Sequence, residues 1–67
     1  MINLKINGVS RSFNRQMNIQ QLIAELLLTG KKVAIERNGE LVPRSQYASC
    51  DVLDGDRLEI VVAVGGG

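Results

Sequence analysis

The sequence predicts an α+β domain: a mixed sheet of four to five strands with one main helix packed across one face. Three observations carry this expectation. Short apolar–polar alternations occur near both ends of the chain, two Asn-Gly dipeptides punctuate the alternating segments, and a single intervening stretch switches to helical spacing.

The first strand is read from Ile2, Leu4 and Ile6, which alternate with Asn3 and Lys5. Asn7-Gly8 follows, a strong hairpin signal, because both central residues of a type I′ turn need positive φ. Val9 and Phe13 alternate with polar neighbours on the returning strand, and that polarity places it at a sheet edge. Ile19, Leu22, Ile23, Leu26 and Leu27 then form one apolar helical stripe. Asn18 with Gln21 makes a capping box, Gly30 is placed for the left-handed position after the helix, and Lys31 and Lys32 fall near the negative end of its dipole. The helix is predicted over Ile19 to Thr29.

A second hairpin follows. Val33 and Ile35 alternate with Ala34 and Glu36, Asn38-Gly39 turns the chain, and Leu41-Val42 begins a return that Pro43 cuts short. The segment RSQYAS reads as irregular or as a short helical turn, and Asp54-Gly55-Asp56 is a further turn. The last strand carries Leu58, Ile60 and Val62 and is the most apolar, which places it centrally, beside the first. Hairpin, helix, hairpin, strand is the β-grasp order, the ubiquitin-like arrangement. The folded domain is read as residues 1–64, with 65–67 as a flexible glycine tail.

Composition narrows the function. The chain has 67 residues, enough for one domain, with 45% hydrophobic and 22% charged residues. No apolar run is long enough for a transmembrane helix, and the opening MINLKING lacks the regions of a secretory leader. A lone cysteine makes no internal disulfide, so the cytoplasm is the expected location. The net charge is +1, unevenly laid out: Lys5, Arg11 and Arg15 precede the first acid, Glu25, while Asp51, Asp54, Asp56 and Glu59 crowd the end. That end reads either as ordinary solvated surface or as an acidic face that steers docking to a basic partner.

A self-contained enzyme is not indicated. There is no histidine, the single cysteine cannot build a zinc site, and no phosphate-binding loop or dinucleotide fingerprint is present. Cys50 reads as a small packed residue rather than a reactive thiol. Arg44 and Tyr47 either pack over the sheet rim or bind a partner. Nucleic-acid binding would want a basic stripe and stacking aromatics, and the chain has one Phe and one Tyr.

The segments MINLKING, ERNGELVPRSQY and LDGDRLEIVVAVGGG resemble the ThiS family, the sulfur carriers of thiamine thiazole synthesis, and the resemblance covers the whole chain. It implies that Gly67 is the modified residue. A ThiF-type enzyme would adenylate its carboxylate with ATP and Mg²⁺. Sulfur drawn through a cysteine desulfurase would displace AMP, and the thiocarboxylate would serve a thiazole synthase of the ThiG type. It implies no bound cofactor in the carrier. Gly65 and Gly66 would thread the partner active sites, since glycine accepts whatever φ/ψ each enzyme imposes. A carrier of the molybdopterin synthase small-subunit type and a non-covalent β-grasp module are the alternatives. The first usually approaches its glycines through a proline, which IVVAVGGG lacks.

The two-residue strand period turns Leu58, Ile60 and Val62 toward the helix and Val61 and Ala63 to the helix-free face. Apolar residues there, beside the arm, read as a partner-docking patch, with Glu59 and Arg44 as a polar rim.

Overall fold

The computed structural model describes residues 1–63. Strands β1 (Ile2–Ile6) and β2 (Val9–Phe13) form the first hairpin, helix α1 (Ile19–Glu25) follows, and β3 (Val33–Arg37) and β4 (Glu40–Val42) form the second. A 3-10 turn at Arg44–Gln46 precedes β5 (Arg57–Val62). The five strands lie in the order β2-β1-β5-β3-β4. β5 is central, parallel to β1 and antiparallel to β3, and β2 is an edge, as its polarity required. This is the β-grasp arrangement.

The core lies between α1 and one sheet face. Ile19, Leu22 and Ile23 meet Leu4 of β1, Ile35 of β3 and Leu58 of β5 in one buried cluster. Met17 and Val52, which belong to no periodic segment, join it from flanking loops, and the Val52 N–H donates to the Met17 carbonyl at 2.9 Å. On the edge strand, Phe13 is half-buried but Val9 is exposed.

The helix begins as expected. Asn18 Oδ1 accepts from the Gln21 N–H at 2.8 Å, and Gln21 Oε1 accepts from the Asn18 N–H at 2.9 Å. It ends four residues earlier than the leucine spacing predicts. The Leu28 N–H donates to the Ile23 carbonyl at 2.9 Å and the Leu27 N–H to the Ala24 carbonyl at 3.0 Å, the paired bonds of a Schellman motif. Leu27, not Gly30, takes the left-handed position, with φ of 62°, and is 85% exposed. The reversal returns Leu28 to pack against the core, and that packing offsets the strain of a leucine at positive φ. Gly30, also at positive φ, serves the next turn, closed by the Lys31 N–H on the Leu28 carbonyl. Lys31 and Lys32 therefore lie beyond the reach of the helix dipole, which falls off within the last turn.

Both Asn-Gly turns have positive φ at both central residues. Each asparagine also serves β5. Asn7 extends the parallel ladder with its side chain: Nδ2 donates to the Ile60 carbonyl at 3.1 Å, and Oδ1 accepts from the Ile60 N–H at 2.7 Å. From the other side, Asn38 Oδ1 accepts from the Arg57 N–H at 2.9 Å. Asn7→Asp keeps the left-handed backbone and the acceptor but turns a carboxylate oxygen against the Ile60 carbonyl. It should cost about 1–2 kcal/mol, read as a lower Tm in a thermal melt. An unchanged Tm would show that the amide does not hold the strand.

Asp56 is the one buried acid among the described residues. It accepts from Arg37 Nε at 2.9 Å, Asn38 Nδ2 at 3.1 Å and the Leu53 N–H at 2.8 Å. Burial works against the Arg37 charge, but Asp56 and the contact of Nη1 with Cys50 Sγ at 3.4 Å outweigh it and hold the guanidinium above its usual pKa. Cys50 is half-buried and packs against the core.

Candidate functional site

The described fold ends just past the central strand. β3 holds β5 to its last residue, with Val33 opposite Val62 and Ala34 opposite Val61. One residue on, the Ala63 N–H donates to the Lys32 carbonyl at 2.9 Å. Gly65, Gly66 and Gly67 lie outside the described residues, as does Val64.

The strand phase is as the alternation predicts. Leu58 and Ile60 are buried beneath α1 and Val62 is half-buried, whereas Glu59, Val61 and Ala63 are exposed. The register places Ala34 beside Val61, and Glu36 between Glu59 and Leu41, on the helix-free face. Val61 is 65% and Leu41 69% exposed. Two glutamates directly opposite each other disfavour strand pairing, and two large apolar side chains in water contribute nothing to the core. The face thus combines apolar area with a local negative charge, and Lys5 and Arg57 sit paired further along it.

The acids of the last segment do not form a single face. Asp56 is turned inward against Arg37, and Asp54 Oδ1 accepts from the Asn3 N–H at 2.7 Å. The acidic neighbour of Glu59 is instead Glu36, from another strand.

Arg44 does not join this face. It lines a groove on the helix side with Gln20 and Ile23 of α1, away from Glu59 and Val61. The reason is the 3-10 turn after Pro43, which carries the chain from the edge strand back under the helix. Tyr47 ends that turn and is buried there, its hydroxyl donating to the Val33 carbonyl at 3.4 Å, so the packing reading holds for it. Among the described residues no cluster of potential metal ligands occurs, and no helix is long and apolar enough to cross a membrane.

A family model described as the ThiS family matches residues 4–67. The chain belongs to the ThiS family. The sulfur carrier protein ThiS of Bacillus subtilis (strain 168) is 37% identical over 65 residues, spanning 96% of this chain and 98% of that protein. The crystal structure of the thiamine biosynthesis protein (ThiS) from Geobacter metallireducens superposes with a TM-score of 0.83 at 30% identity, covering 98% of this chain and all of that one. A thiazole synthase of Paramagnetospirillum magneticum is 52% identical over 64 residues. That match covers 96% of this ThiS-family chain but 20% of the thiazole synthase, so the chain spans about a fifth of that relative's length.

Proposed function

We propose that this chain is a sulfur carrier for thiazole formation in thiamine biosynthesis, and that Gly67 is the residue that carries the sulfur. The observation that supports this most directly is the ThiS-family match through residue 67, which takes in the glycines as part of the family pattern. A carboxylate is a poor electrophile because its charge is delocalised. The Gly67 carboxylate would attack the α-phosphorus of ATP on a ThiF-type enzyme, forming an acyl adenylate and releasing pyrophosphate. Sulfide would then displace AMP and leave a thiocarboxylate directly; a desulfurase-derived persulfide would displace AMP to give an acyl disulfide, which a thiol would reduce to the thiocarboxylate that serves thiazole synthase. The carrier's own share is a recognisable body and an arm. β5, held by β3 on one side and by β1 and Asn7 on the other, is a firm base from which that arm starts. Val61, Ala63 and Glu59 would dock the activating enzyme on the helix-free face, while Gly65 and Gly66 thread its active site.

Intact mass tests the reading. Incubation with ATP, Mg²⁺, a cognate ThiF-type enzyme and a sulfide source should raise the mass by the difference between sulfur and oxygen. A tag fused after Gly67, or deletion of Gly65 to Gly67, should abolish the gain with little change in Tm. No gain under conditions where a known carrier reacts would overturn the assignment.

A further inference from the structure

Behind the strand end, on the helix side, α1 and the sheet leave a groove of about 690 Å³. Ile23, Val33 and Tyr47 line its apolar part, and Lys31, Lys32 and Arg44 line it with charge. Among the described residues, no acidic side chain lines it. The ion pairs among the described residues, Arg15 with Glu25 and Arg37 with Asp56, involve none of the three cations, and all three are exposed. The whole chain has a net charge of +1, yet three of its eight basic residues gather here. Nothing in the fold requires them: α1 ends at Glu25, too early for Lys31 and Lys32 to cap it. Like charges held together without an ion-pair partner among the described residues repel one another, which is the arrangement expected of a surface whose counter-charge comes from outside.

The groove also sits beside the end of β5. The Lys32 carbonyl takes the Ala63 N–H, and Val33 faces Val62 across the ladder. A partner seated there would grip the carrier next to the end of β5 but on the side of the sheet opposite Val61.

We propose that this groove is a second docking surface, separate from the Val61 face, and that its occupant is an acidic segment of thiazole synthase. Carboxylates of that segment pair with Lys31, Lys32 and Arg44, and an apolar side chain rests over Ile23 and Tyr47. The inference rests on the sulfur-carrier reading for its choice of partner. Thiazole synthase is favoured over the activating enzyme because a segment 52% identical to this chain makes up a fifth of one thiazole synthase, where it is tethered to the rest of that chain. Separate surfaces let two enzymes recognise one carrier in turn, each judging a different side of the same strand end.

The test is a titration of purified thiazole synthase, free of any fused carrier, with the wild-type chain and with a Lys31→Glu, Lys32→Glu, Arg44→Glu variant, at low and at physiological salt. Wild-type binding should weaken as salt rises, and the variant should bind about tenfold more weakly at low salt with little salt dependence left. Thiocarboxylate formation by the activating enzyme, read by intact mass, should proceed at the wild-type rate. If the triple reversal lowers Tm, Lys31→Gln with Arg44→Gln is titrated instead and should show the same direction. The proposal is overturned if wild-type chain does not bind thiazole synthase, if the variants bind it as wild type does, or if only thiocarboxylate formation suffers. Failure of the wild-type chain to gain sulfur would sink the carrier assignment alone, since the titration does not depend on it.

Discussion

Ile60→Asp should leave the chain unfolded at room temperature, while Val61→Asp, one residue further on, should melt like the wild type. Ile60 is buried among the apolar side chains of the core, and the nearest basic side chain lining the same hollow, Arg11, stands on the exposed edge strand. Placing an unpaired charge there costs several kcal/mol, about as much as a small domain has in total. Val61 points into water, so the same substitution buries nothing. On the proposed function its effect falls on the partner: adenylation should slow and binding to the activating enzyme should weaken. Val62→Asp, at a half-buried position, should lie between the two in Tm. Thermal melts and a pull-down with the activating enzyme separate the effects. A folded Ile60→Asp beside an unfolded Val61→Asp would invert the strand phase. Wild-type binding by Val61→Asp would remove this face as the docking site.

Leu22→Ala should destabilise the domain by about 2–5 kcal/mol, because Leu22 is completely enclosed by the core and the surroundings can collapse only in part. At roughly 4–8 °C per kcal/mol for a domain of this size, the fall in Tm should be about 8 °C or more. Leu26→Ala should cost much less. The helical spacing placed Leu26 in the middle of a long stripe, but it caps a helix that ends at Glu25 and is half-buried. A denaturant titration of both variants checks the difference. Equal losses would mean that Leu26 packs as a central helix residue and that the early helix end is wrong.

The contrast between those leucines shows where sequence patterns stopped being sufficient. Its apolar content placed β5 at the centre, and strand alternation oriented Leu58, Ile60 and Val61 correctly, because a period of two turns successive side chains to opposite faces. The capping box was equally readable, since all its partners lie within three residues. The helix end was not. Leu26, Leu27 and Leu28 satisfy a helical stripe in part whatever the backbone does, and the decision to reverse at Leu27 is made by Leu28 packing against a core assembled from distant strands. Asn7 and Asn38 were legible as turn residues, but their hold on β5 joins positions up to 53 apart in sequence. Asp56 looked like its neighbours Asp51 and Asp54, and nothing local marked it as the one turned inward to Arg37. On the candidate site, Glu59 and Val61 followed from strand phase alone. Arg44 did not, because the 3-10 turn at Arg44–Gln46 decides which side of the sheet it reaches. Lys31 and Lys32 were visible only as a charge pair after a helix, and their meeting with Arg44 required the folded chain.

The asparagine clamps on β5 also give the molecule a chemical age. An asparagine followed by glycine is the dipeptide most open to deamidation, because no side chain shields the backbone nitrogen that attacks the amide, and Asn7-Gly8 and Asn38-Gly39 are both of this kind. Loss of ammonia from Asn7 closes a succinimide with the Gly8 nitrogen, and water opens it either to the aspartate whose effect on Tm is expected above or, in larger share, to an isoaspartate that lengthens the backbone; either way a carboxylate replaces the amide that donates to the Ile60 carbonyl. The two hydrogen bonds of the Asn7 amide to Ile60 resist this, because they must be given up before the amide can turn to the attacking nitrogen, so the fold protects the bond that in turn protects the fold. Each molecule that slips once loses part of that protection, and ageing in this domain becomes self-reinforcing at the strand that carries the arm. In stored protein, the acidic form separable by ion exchange should be enriched in the fraction that melts first.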